Sequence, residues 1–190
     1  MDAFPDVSVA LRLEGGTAFP AGFITQTISV VERSAFSTEV EELEAIFEEF
    51  PEIPQVVCDA CRHRINDFRG NALLVSAAKP GSLVLFATCT ALAYWLVEKT
   101  LGETLKEAYK ESDMHEKLKA LLARRLFRRT ENLAATVHNA VFKPVSDPTV
   151  RAEASVSKTN PRLVEVVARI EKWNDVPPSN QSWAANDPQA

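Results

Sequence analysis

Val7, Val9, Leu11 and Leu13 alternate with Ser8, Ala10 and Arg12, the period of a half-buried strand that ends at Glu14-Gly15-Gly16. From Phe19 to Ala35 the period lengthens: Phe23, Ile24, Thr27, Ile28 and Val31 fall on one helical face opened by Pro20, although their Thr, Ile and Val content also suits a strand. A helix is the reading adopted. Thr38 and Glu41, three apart, have the form of a capping box, and Val40, Leu43, Phe47 and Phe50 follow as the stripe of a second helix that Pro51 and Pro54 end. Val57, Cys58, Cys61, Ile65 and Phe68 then repeat at helical spacing through Gln55 to Arg69, with Gly70 as the stop.

Between Asn71 and Thr88 two apolar runs, Leu73-Leu74-Val75 and Leu83-Val84-Leu85-Phe86, flank Lys79-Pro80-Gly81-Ser82. Pro presets φ at the second turn position and Gly accepts positive φ at the third, so the segment 72–88 predicts an antiparallel hairpin, with a longer loop or a bulge in reserve. After Thr88, Tyr94, Val97, Leu101, Leu105 and Ala108 step by three and four, while Glu98, Lys99, Glu103, Lys106, Glu107 and Lys110 take the other side of the helix. Residues 83–97 are apolar or weakly polar all round, which calls for burial on most sides.

Ser112 or Asp113 caps a further long helix from His115 to Phe142, striped by Met114, Leu118, Leu121, Leu122, Leu126, Leu133, Val137 and Val141. With the preceding helix it reads as an antiparallel pair. Pro144 and Pro148 mark a linker, and Val150, Ala152, Ala154 and Val156 alternate as another strand. Asn160-Pro161 has the form of a helix start, followed by a stripe of Leu163, Val166, Val167, Ile170 and Trp173. Val176 to Ala190 has almost no aliphatic content and reads as a flexible tail. The expectation is an α+β fold with three to four mostly antiparallel strands, a core domain over 1–143, a strand-and-helix appendage over 144–175, and the tail 176–190.

Composition narrows the function classes. The chain of 190 residues is 46% hydrophobic and 25% charged, with a net charge of −5, which carries no global signature for nucleic acid. No secretory signal pattern opens it, and three cysteines fit a reducing compartment better than a disulfide framework, so a cytoplasmic location is expected. The apolar run 83–97 has 15 residues, short of the about 20 a spanning helix needs. Cys58, Cys61 and His63 resemble half a zinc site, but no second pair follows and both cysteines lie on the apolar stripe; no metal or cofactor is expected. Gly-x-Ser-x-Gly, Walker, dinucleotide and His-Glu-x-x-His patterns are all missing, so the chain does not read as an enzyme.

Charge and aromatic placement supply the candidate contacts. Lys117, Lys119, Arg124, Arg125, Arg128 and Arg129 crowd four helical turns, and Glu39, Glu41, Glu42, Glu44, Glu48, Glu49 and Glu52 crowd another segment, so the two runs either meet partners or satisfy each other. Trp173 completes the last stripe and Trp183 stands alone in a polar tail, a residue type that anchors interfaces. The run from Lys79 to Lys110 resembles small bacterial domains of unassigned role, without matching the motif residues of any one family. The leading expectation is therefore a non-catalytic interaction subunit that binds another protein, or itself, in a regulatory, toxin-neutralising or complex-assembly role, with Arg124, Arg125, Arg128, Arg129, Trp173 and Trp183 as contact residues. Two alternatives stand beside it: a membrane-acting effector using 83–97 and the basic helix 117–129, and a nucleic-acid binder using that same helix.

Overall fold

The computed structural model describes residues 6–14, 21–79, 84–105, 109, 113–140 and 150–170. The fold is α+β: five strands form one sheet and four α-helices among the described residues pack against it. Chain order is β1 (Val7–Glu14), α1 (Ala21–Glu49), α2 (Gln55–Arg64), a 3-10 turn (Ile65–Phe68), β2 (Leu73–Lys79), β3 (Val84–Cys89), α3 (Leu92–Leu105), α4 (Met114–Asn139), β4 (Val150–Val156) and β5 (Leu163–Ile170).

Strand order across the sheet is β2-β3-β1-β5-β4. β2 and β3 form the expected hairpin, with a register shift between Val75 and Ala77; the turn residues 80–83 lie outside the described set. β1 pairs antiparallel with β3 but parallel with β5, and β4 pairs antiparallel with β5. The sheet is thus mixed and five-stranded, where three to four mostly antiparallel strands were expected. The difference comes from Leu163–Ile170, expected as a helix and found as a strand.

Its stripe of Leu163, Val166, Val167 and Ile170 has helical spacing, yet Val164, Val166 and Ala168 also alternate, and these are the residues with no exposure. Three valines within the eight residues favour the pleated surface, where branched side chains pack between neighbouring strands. Asn160-Pro161 carries a turn instead of a helix cap: Asn160 Oδ1 accepts from the Arg162 N–H at 3.0 Å, and Leu163 N–H donates to Asn160 O at 3.0 Å, closing the β4–β5 hairpin. The segment 144–175, expected as a strand-and-helix appendage, in its described part supplies two strands of the one sheet, with β5 inside it.

A second correction concerns α1. Two helices were expected over 19–50, and one helix of 29 residues is present. The Thr38 hydroxyl donates backward to Ser34 O at 3.0 Å, which is what a threonine does inside a helix, so it caps nothing. No Pro or second Gly falls between Gly22 and Pro51 to interrupt the ladder. By contrast, α2 starts where expected but ends at Arg64, and the 3-10 turn Ile65–Phe68 carries the chain on to Gly70, whose φ of 93° no branched residue adopts cheaply and whose N–H donates to Glu32 Oε1 at 2.7 Å.

Helices cover one face of the sheet. Val7, Val9, Leu11, Leu13, Leu85, Ala87, Cys89, Val164, Val166 and Ala168 point into a core shared with α1, α3 and α4. Leu92, Ala93, Tyr94, Leu96, Val97 and Leu101 are buried there too, so the apolar run identified in the sequence is central packing, and no helix of the described residues is long and apolar enough to cross a membrane. The long antiparallel pair is α1 with α4, not α3 with α4: as α4 advances from Arg124 to Arg125 to Arg129, its partners on α1 recede from Glu49 to Glu42 to Glu39.

Candidate interaction surface

The two charge runs meet inside the molecule. Arg129 and Glu39 are each 1% exposed and bonded to one another, with Arg129 Nε donating to Glu39 Oε1 at 3.0 Å and Nη2 reaching both that oxygen and Thr90 O, the latter at 2.7 Å. The second Glu39 oxygen accepts from the Ala93 N–H at 3.0 Å. One turn along, Arg125 clamps the fully buried Glu42 through two bonds of 2.9 and 3.0 Å, and the Tyr94 hydroxyl donates to the same carboxylate at 3.0 Å. At the surface Arg124 pairs with Glu49 at 2.7 Å, and Arg62 forks onto Glu44 with bonds of 2.8 and 2.7 Å.

This network holds the entry of α3. The Asp6 carboxylate accepts from the Ala91 N–H at 3.2 Å and Glu39 from Ala93, so two acids satisfy orphan N–H groups at the positive end of the helix. Burial raises the pKa values of Asp6 and Glu39 above the usual carboxylate range, against the opposing pull of those N–H groups and the Arg129 charge. A void lined by Val7, Ala35, Thr38, Cys89, Leu133 and the ion pair lies beside it, too narrow to admit water. Arg129 Nη1 has no partner among the described residues. A sealed network of this kind fixes packing, and its geometry offers no route for a substrate.

The thiols are equally enclosed. Cys58, Cys61 and Cys89 are free and buried; burial raises all three pKa values, that of Cys89 to about 12. Cys58 and Cys61 sit under Ile53 O and Leu96 O at 3.9 Å each. Among the described residues no group of three or more His, Cys, Asp or Glu side chains is placed to hold a metal ion. An open groove of about 590 Å³ runs between α1 and α4, lined by Val30, Arg33, Ser34, Ala135, Thr136, Asn139 and Ala140. Arg33 is its one charged group, and its Nε is turned back onto Ser29 O at 3.2 Å. The Thr136 hydroxyl, which also lines the groove, donates to Asn132 O at 2.8 Å.

Of the residues singled out in the sequence, Arg124, Arg125 and Arg129 are therefore spent within the chain, and Arg128 is exposed without an ion pair among the described residues, next to Phe127 at 55% exposure. Trp173 and Trp183 lie outside the described residues, as does the tail. The signal for the buried pair was present in the stripes: Leu126 and Leu133 leave one inward turn between them, which Arg129 and Thr130 fill, and Ala35, Leu43 and Ile46 leave matching gaps at Glu39 and Glu42.

The surface that sequence reasoning missed is the face of the sheet turned away from the described helices. Cross-strand register places Leu74, Thr88, Ser8 and Leu163 in one row, Ala77, Phe86, Ala10, Glu165 and Ser155 in the next, and Lys79, Val84, Arg12, Val167 and Glu153 in a third. Glu14 and Arg169 close the face with a 2.7 Å ion pair between β1 and β5. Among the described residues no element packs over these rows. Leu74 is 53% exposed, and Val84, Phe86, Leu163 and Val167 are half-buried. Arg12 and Glu165, exposed on adjacent strands, make no ion pair among the described residues.

No protein-family model matches the sequence, and neither a curated protein nor a solved structure is similar enough to count as a match.

Proposed function

We propose that the chain is a non-catalytic, cytoplasmic protein-binding subunit whose contact surface is the face of its sheet that no described element covers. One observation carries this reading: the helices among the described residues that pack on the sheet share the core with one face of it, while on the other face, which no described element covers, Leu74 is exposed and Val84, Leu163 and Val167 are half-buried among scattered single charges. An apolar band set in a polar rim is the composition of a contact patch, whereas a face that only meets water alternates more cleanly to polar residues. Three free, buried thiols fit a reducing compartment.

The basic helix loses weight as a phosphate or lipid surface, because Arg124, Arg125 and Arg129 are neutralised by Glu49, Glu42 and Glu39. The apolar run 83–97 loses weight as a membrane segment, because its helical part is core.

The test is purification of the tagged chain from its native host, side by side with a Val84→Lys/Val167→Lys variant and an Arg124→Glu/Arg128→Glu control. Loss of a stoichiometric partner only in the sheet-face variant, at unchanged thermal midpoint, supports the reading. Full retention of every partner by that variant overturns it.

A further inference from the structure

We draw no further inference here: the strongest candidate, the sheet face away from the described helices, where Leu74, Arg12 and Glu165 are exposed, belongs to the surface already described, and nothing in the structure shows what covers it.

Discussion

Replacing Arg129 by methionine keeps an unbranched stem and removes the guanidinium with its charge from a position that is 1% exposed. Glu39 is left with a single bond, from the Ala93 N–H at 3.0 Å, and with no counter-charge in direct contact. Thr90 O loses its donor as well. Breaking one partner out of a buried pair costs about 3 to 5 kcal/mol, because the remaining carboxylate must be ionised in apolar surroundings or protonated out of its usual range. For a single domain of ordinary stability, about 5 to 15 kcal/mol, that is a loss visible in a urea titration. The double variant Arg129→Met/Glu39→Leu removes both charges together and is expected to regain more than half of the loss, since an apolar replacement of a whole buried pair is close to neutral.

The dependence on acidity has a definite sign. Burial already raises the pKa of Glu39 above its unfolded value, and Arg129 is the chief force pulling it back. A carboxyl group raised in the folded state favours folding most where it is protonated, and that contribution is lost as pH rises through the folded pKa. Without Arg129 the value climbs further, so the deficit of Arg129→Met is expected to shrink as pH falls from about 8 to about 5. Denaturant midpoints across that range measure it. A single variant within about 1 kcal/mol of wild type, or a deficit that grows on acidification, would refute the reasoning.

Three further outcomes are expected. Tyr94→Phe removes the donor to buried Glu42 while the Arg125 clamp stays, so stability should fall by about 1 to 2 kcal/mol in the same titration, and no change would mean that the 3.0 Å bond contributes nothing net. Because Cys89 is held at about 12 and Cys58 and Cys61 are raised and buried, a thiol reagent at about pH 8 should leave the native chain unlabelled and find three thiols in denaturant; rapid native labelling would contradict the packing. Val164 is buried and Val167 lies on the face away from the described helices, so Val164→Asp should cost about 3 kcal/mol or more and Val167→Asp under about 1.5; the reverse order would restore the helix over this segment.

That last contrast shows where the fold was legible and where it was not. β1, the β2–β3 hairpin, α2, α4 and β4 were readable because each has one period and firm punctuation: alternation ended by Gly15-Gly16, or a three-four stripe stopped at Gly70. Leu163–Ile170 satisfies both periods at once, and only the neighbour it pairs with decides. Asn160 and Thr38 misled for a related reason. The side-chain oxygen that caps a helix also closes a turn or bonds back within a helix, so local chemistry fixes a hydrogen-bonding ability and not the element that uses it. The sheet face away from the described helices could not be seen at all, because β1 and β5, which share it, pair residues 155 apart in sequence and their adjacency is a product of the topology.

The same dependence on topology governs which charges are available. Read along the chain, the seven acids from Glu39 to Glu52 and the six bases from Lys117 to Arg129 either sought partners or satisfied each other. Packed antiparallel, the two helices bring Glu39, Glu42 and Glu49 onto Arg129, Arg125 and Arg124, and what remains outside is short on concentrated charge. An ion pair sealed at 1% exposure gains little stability over an apolar pair, but it penalises any register of α1 on α4 that separates it. That register in turn sets Thr90, Ala91 and Ala93 at the entry of α3, directly after β3. β3 then lies at a fixed height against β1, which is what aligns Val84 with Arg12 and Phe86 with Ala10 on the far side of the sheet. The charged helices thus act on that face without being part of it: a substitution at Arg129 is expected to disturb binding there only as far as it loosens the fold, whereas one at Arg12 disturbs binding and leaves the fold alone.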